Sequence, residues 1–120
     1  MALDFQARLV HGDAQMVDYT PGSDVAAGTV VVQNSVPMIA HRDIEANKKG
    51  ALAARGGVYE VACNAAIAAG KPVWWDDTNN RVTETATSNA HFGHSIAAST
   101  DSNTVVRVLH APQALVGAIV

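Results

Sequence analysis

The sequence predicts an all-β fold, either a small single-domain β-barrel or a tulip-like β-sandwich, with short hairpins and at most a short helix. Three observations carry this. Val, Ile and Thr together number 29, against 14 for Leu, Met, Lys and Glu, and branched side chains are stiff at the first torsion and favour a pleated backbone. Turn formers interrupt the chain at about the 8–12-residue spacing of sandwiches and barrels. Two stretches carry hairpin chemistry. The 22 Ala blur the first observation, because Ala is the best helix former. A chain of 120 residues has one-domain length, long enough to bury roughly two-thirds of its unfolded surface.

Met16-Val17 is the first strand-like run, ended by Pro21-Gly22-Ser23. Val30-Val31-Val32 and Val36-Pro37-Met38-Ile39 follow, separated by Asn34-Ser35. Residues 44–54 offer the one place for a helix of one or two turns, with Glu45, Lys48, Lys49 and several Ala. Gly50 falls inside that window and Gly56-Gly57 closes it, which weighs against helix. Val58-Tyr59-Glu60-Val61 reads as a strand, and the Ala-rich 62–69 as its end and a loop stopping at Gly70. Residues 73–85 form the clearest hairpin: two strands flank Asp76-Asp77-Thr78-Asn79-Asn80, whose side chains can bond their own backbone. A second hairpin joins 92–98 to 104–109 through Thr100-Asp101-Ser102-Asn103. Residues 24–31 echo 66–73, each with Ala-Ala-Gly before a strand. That is a turn idiom used twice, with Gly supplying the positive backbone angle. The chain divides into an N-terminal arm (1–22), a β domain (23–110) and an apolar C-terminal tail (111–120).

Charged residues are 16% of the chain, below the roughly 25% of an average soluble domain. Such a surface is expected to be covered in the working state, by copies of the chain or by a partner. The net charge of −3, with no basic cluster beyond Lys48-Lys49, argues against direct nucleic-acid binding. The single Cys63 excludes an internal disulfide. The start Met1-Ala2-Leu3-Asp4-Phe5-Gln6 lacks a signal-peptide pattern. No window approaches the roughly 18 apolar residues of a membrane span, so no membrane partner is expected, and synthesis is expected in a cytoplasm.

No catalytic constellation assembles. A P-loop needs Gly, four residues and Gly-Lys-Ser/Thr; the nearest stretch, 65–72, has Ala65 and Pro72 at the ends. Of the five His, only His91 and His94 are close, and on a strand they face opposite sides. No third ligand completes a zinc set, so the histidines read as exposed or interface residues. Residues 76–80 lack the central Gly of a calcium loop and read as a turn. Asp76 and Asp77, adjacent on a strand, point apart and cannot share acid–base work. Cys63 reads as a buried small apolar residue, and Ser95 and Ser99 lack a nucleophile elbow. The expectation is no enzyme, no cofactor and no metal. Trp74-Trp75 puts one ring in the core and the other outward, against a neighbouring subunit, a covering loop or a sugar.

The stretch 24–108 resembles the phage capsid decoration, or cement, proteins, a family once catalogued as a domain of unknown function. The resemblance lies in Asp24-Val25-Ala26-Ala27-Gly28-Thr29-Val30-Val31-Val32, Gly57-Val58-Tyr59-Glu60-Val61 and Ile67-Ala68-Ala69-Gly70. Its most specific part is Val73-Trp74-Trp75-Asp76-Asp77-Thr78 with Val82-Thr83-Glu84-Thr85-Ala86-Thr87. It closes with Phe92-Gly93-His94-Ser95-Ile96-Ala97-Ala98 and Thr104-Val105-Val106-Arg107-Val108. Ser88 departs from the pattern, standing where Gly often follows Thr-Ala-Thr, and the tail runs past the usual end. Members have also carried a label linking them to RecA-type recombinases, which the missing P-loop argues against.

The resemblance implies an all-β viral structural protein on the outer surface of the expanded phage head. It would bind the major capsid protein and itself, as a homotrimer at three-fold or quasi-three-fold positions, and stabilise the shell against internal DNA pressure. Candidate capsid or subunit contacts are Phe5, Arg8, Leu9 and Val10 of the arm, Trp74 and Trp75, and Leu115, Val116 and Ile119 of the tail. The alternatives are a phage host-surface or glycan-binding module and a recombination accessory protein.

Overall fold

The computed structural model describes residues 6–33, 35–100 and 104–112. Ten strands run in chain order: β1 (Ala7–His11), β2 (Gln15–Tyr19), β3 (Val30–Gln33), β4 (Val36–Ile39), β5 (Gly50–Arg55), β6 (Val58–Ala62), β7 (Pro72–Asp76), β8 (Arg81–Thr83), β9 (Ala90–Ser95) and β10 (Val105–His110). They form a six-stranded sheet ordered β1-β6-β10-β9-β7-β8 and a four-stranded sheet ordered β2-β5-β4-β3. Neither sheet closes on itself, so of the two predicted architectures the molecule is the sandwich. β1 and β2, within the stretch read as an arm, each pair along one side, with β6 and β5 respectively.

Alternation along the strands builds the core. Tyr59, Val61, Val73, Trp75, Val106 and Val108 point inward from the larger sheet onto Val30, Ile39 and Ala53 of the smaller one. The other face of the smaller sheet is also covered. Ala40, Ile44 and Leu52 form a second cluster there, with Tyr19, Val25, Val31 and Met38 packed against it. Val25 and Ile44 pair backbone to backbone in an isolated bridge, which pins the two long loops together. Residues 44–54 are therefore not helical: Ile44 is fixed by that bridge, and Gly50–Arg55 is drawn into the sheet as β5.

Both predicted hairpins form, as β7–β8 and β9–β10. In the first, Asp76 Oδ1 accepts the N–H groups of Thr78 (3.1 Å) and Asn79 (3.2 Å), and Asn79 Nδ2 donates to Asp76 Oδ2 (2.9 Å). These bonds hold the Asp76 carboxyl below its ordinary pKa, the Asn79 side-chain bond most of all. Trp75 lies in the core at 1% exposure, with its indole N–H donating to Asp77 Oδ1 at 3.0 Å. The echoed Ala-Ala-Gly segments are indeed one idiom: Gly28 and Gly70 take φ of 86° and 81°, each just before a strand.

Candidate functional site

A one-residue irregularity sets the outer face of the larger sheet. Trp74 pairs with His91 and Val73 with Gly93, leaving Phe92 as the extra residue of a bulge. Phe92 and Ser95 are buried while His94 is exposed. The expectation that His91 and His94 face opposite sides is thereby corrected: the bulge skips one step of the alternation and puts both outside. Burial, with His94 nearby, lowers the His91 pKa. Trp74 meets the His91 ring edge-on, 5.6 Å between centroids at 68°. Of the two tryptophans, Trp74 is thus the outward one, and Trp75 is a core residue of the single chain.

Across the same face, Glu60 on β6 is registered against Arg8 on β1 and Arg107 on β10. Arg8 makes a short ion pair with it, and Arg107 Nη2 lies 3.6 Å away. The Arg8 bond, more than any other contact, pulls the Glu60 pKa down. Sequence reasoning missed this triad, although a signal existed. Glu60 and Arg107 are each the lone charge in an alternating apolar strand, so both had to point outward.

Beside β1 lies a cleft of about 370 Å³, lined by Ala7, Arg8, Leu9, Ala27, Gly28, Ala40 and His41. His41 Nε2 and the Tyr59 hydroxyl share a 2.6 Å hydrogen bond. Burial lowers the His41 pKa and pushes Tyr59 up to about 12, so at neutral pH the pair is uncharged. The cleft offers hydrogen bonding and apolar wall rather than charge. Leu9, Met16 and Val17 are exposed at 38, 45 and 40%, so the β1–β2 side carries exposed apolar side chains. Val10 is half-buried. Phe5, Leu115, Val116 and Ile119 lie outside the described residues.

The remaining sequence candidates serve the fold. Ser95 Oγ donates to Ala68 O at 2.6 Å and accepts Lys71 N–H at 3.0 Å. Ser99 Oγ accepts Ile67 N–H at 3.1 Å, so both hydroxyls tie down the loop after β6. Cys63 is buried and its thiol pKa is raised by burial. His110 corrects the reading of the histidines as surface residues, because it occupies an inward position of β10 and is fully buried. Among the described residues, no three His, Cys, Asp or Glu side chains come together as a metal set.

These features define a small antiparallel β-sandwich in which Ser95, Ser99, Asp76 and Glu60 serve its own turns and sheet contacts. Its exposed large apolar side chains, among the described residues, are Leu9, Met16 and Val17 on β1 and β2 and Ile96 after β9. The chain belongs to the phage cement protein family, whose model matches residues 10–110. It is therefore a structural protein associated with the phage capsid. Compared with curated proteins and with solved structures, the chain matches none.

Proposed function

We propose that this chain decorates the outer surface of the expanded phage head, as a homotrimer at three-fold or quasi-three-fold positions, and that it catalyses no reaction. Membership of the cement family is the observation that carries this reading. The low charge content and the exposed Leu9, Met16 and Val17 support it, because apolar groups left in water by one chain are what a subunit or capsid contact covers. Trp74 and Arg8 are the outward candidates for contact, with Phe5, Leu115, Val116 and Ile119 proposed at the two ends of the chain.

The mechanism is thermodynamic. A ligand that prefers the expanded shell over its precursor adds its binding free energy to the expanded state alone. Bridging neighbouring major capsid subunits then opposes their separation under packed DNA, and repetition over many sites turns modest contacts into strong retention. Mixing the purified protein with expanded, undecorated heads and with unexpanded precursors, followed by imaging, tests this. Added density at three-fold positions of expanded heads alone is the expected result. Equal occupancy of both shells, or of neither, rejects it.

A further inference from the structure

We infer that the apolar C-terminal segment 113–120 of one copy adds a strand to β2 of a second copy, an inference that rests on the oligomeric reading above. The acceptor is unusual among the sheet edges. β2 ends the order of its sheet, and four of its five residues are exposed, with Tyr19 half-buried. Adjacent strand residues face opposite sides, so Met16 leaves one face apolar and Val17 the other. Among the described residues no strand pairs with the outer side of β2, and a sheet edge with apolar residues on both faces is a template for another strand.

The donor has the matching pattern. Gln113-Ala114-Leu115-Val116-Gly117-Ala118-Ile119-Val120 carries no charged side chain. In an extended form it would put Leu115 and Ile119 on one side and Val116 and Val120 on the other, so both of its faces need cover. A strand laid beside β2 meets an apolar neighbour on each face, as β-augmentation requires.

The exit point of the segment decides which copy supplies it. The His110 carbonyl accepts the Gly56 N–H at 2.7 Å, and a Cβ on Gly56 would lie 2.8 Å from the carbonyl oxygen of Asp13. The end of β10 and the start of β2 are thus separated by a single residue. Eight residues reach about 26 Å, and the five residues of β2 span about 17 Å. A tail laid on its own β2 from that end would run parallel to it. To run antiparallel it would first have to cross to Tyr19, leaving about three residues to pair. Every named strand pair is antiparallel, the more stable arrangement per residue. A second copy can approach from the Tyr19 end and pair the whole segment.

The test uses the full chain with Cys63→Ala. One set of chains carries Met16→Cys or Val17→Cys, and the other Leu115→Cys or Val116→Cys. The two sets are co-expressed and oxidised, with Thr78→Cys replacing the first set as a control. A disulfide between the two kinds of chain, in clear excess over the control, is expected, together with loss of the oligomer on truncation after Pro112. A third chain carries one cysteine of each set. A disulfide that forms within this chain, with none between the two co-expressed kinds, means the tail folds back on its own β2 and overturns the inference, as does the absence of any bond. Decoration of expanded heads is scored in parallel. Decoration without the interchain bond rejects this inference and leaves the cement reading standing, whereas failure to decorate rejects that reading itself.

Discussion

His110 on β10 reaches across the sandwich and bonds through Nε2 to the carbonyl oxygen of Pro37 on β4, 2.7 Å away. The carbonyl can only accept, so Nε2 carries the proton. Nδ1 is then a bare lone pair, buried with no partner among the described residues. The imidazole packs tilted against Phe92, 4.8 Å between centroids at 54°, and meets Tyr59 edge-on at 5.6 Å. One polar ring thus ties the two sheets together from inside an aromatic cluster.

This arrangement makes stability depend on pH. Burial, with smaller effects from Arg55 and His41, pushes the His110 pKa down to about 4, against a bond to Pro37 that raises it. In the unfolded chain the value returns to about 6.5. Between these values the unfolded state binds more protons, so stability falls as pH drops from about 6.5 to about 4, by about 3 kcal/mol in all. His41 acts in the same direction, and Glu60, held low by Arg8, adds its own loss below the usual carboxylate range. Urea unfolding at pH 7.5, 5.5 and 4 should show this decline, and His110→Gln should flatten it. An unchanged slope in His110→Gln would mean that other groups carry the dependence.

Gly93→Ala should be among the most damaging single substitutions. A Cβ at Gly93 would sit 1.9 Å from the Leu109 carbonyl oxygen, a backbone atom of the paired strand that has nowhere to go. The expected loss is about 3 kcal/mol or more, measured as the shift in denaturation free energy. A loss below about 1 kcal/mol would show that β9 and β10 can part without penalty.

Ser88→Gly should stabilise the protein. Ser88 adopts φ 64°, the left-handed conformation that costs an L-residue about 1–2 kcal/mol. Gly removes that strain but adds unfolded-chain entropy, leaving a net gain of about 0.5–1 kcal/mol. Thermal unfolding of the variant beside the parent checks the sign.

The two tryptophans should separate stability from binding. Trp75→Ala empties a core position and should cost about 3–5 kcal/mol, while Asp77→Ala, which strips the indole of its acceptor, should cost about 1 kcal/mol. Trp74→Ala removes an outward ring and its edge contact with His91, about 1 kcal/mol of stability. If Trp74 is a contact residue, its removal should weaken head binding about tenfold or more. Unchanged binding would take Trp74 off the interface.

Local chemistry was legible in the sequence wherever a residue's role depends on its near neighbours along the chain. Asp76 turns the hairpin because its carboxylate reaches the amides of Thr78 and Asn79. Gly28 and Gly70 precede strands because positive φ suits them, and alternation alone puts one of the adjacent tryptophans in the core. Strand content, both hairpins and the resemblance to cement proteins rest on such short-range signals. The tertiary structure decided what long-range pairing controls: that β1 and β2 join different sheets, that residues 50–55 add a strand rather than a helix, and that His110 finds Pro37. It also decided that His91 and His94 share a face, because a slip of one residue in register moves every later side chain to the opposite side. The one local signal in residues 90–95 is Gly93, since an isolated glycine inside a strand marks a bulge or a close backbone approach. Only the paired structure shows that both hold here: Phe92 is the extra residue, and β10 comes so close to Gly93 that only a residue without a side chain fits there.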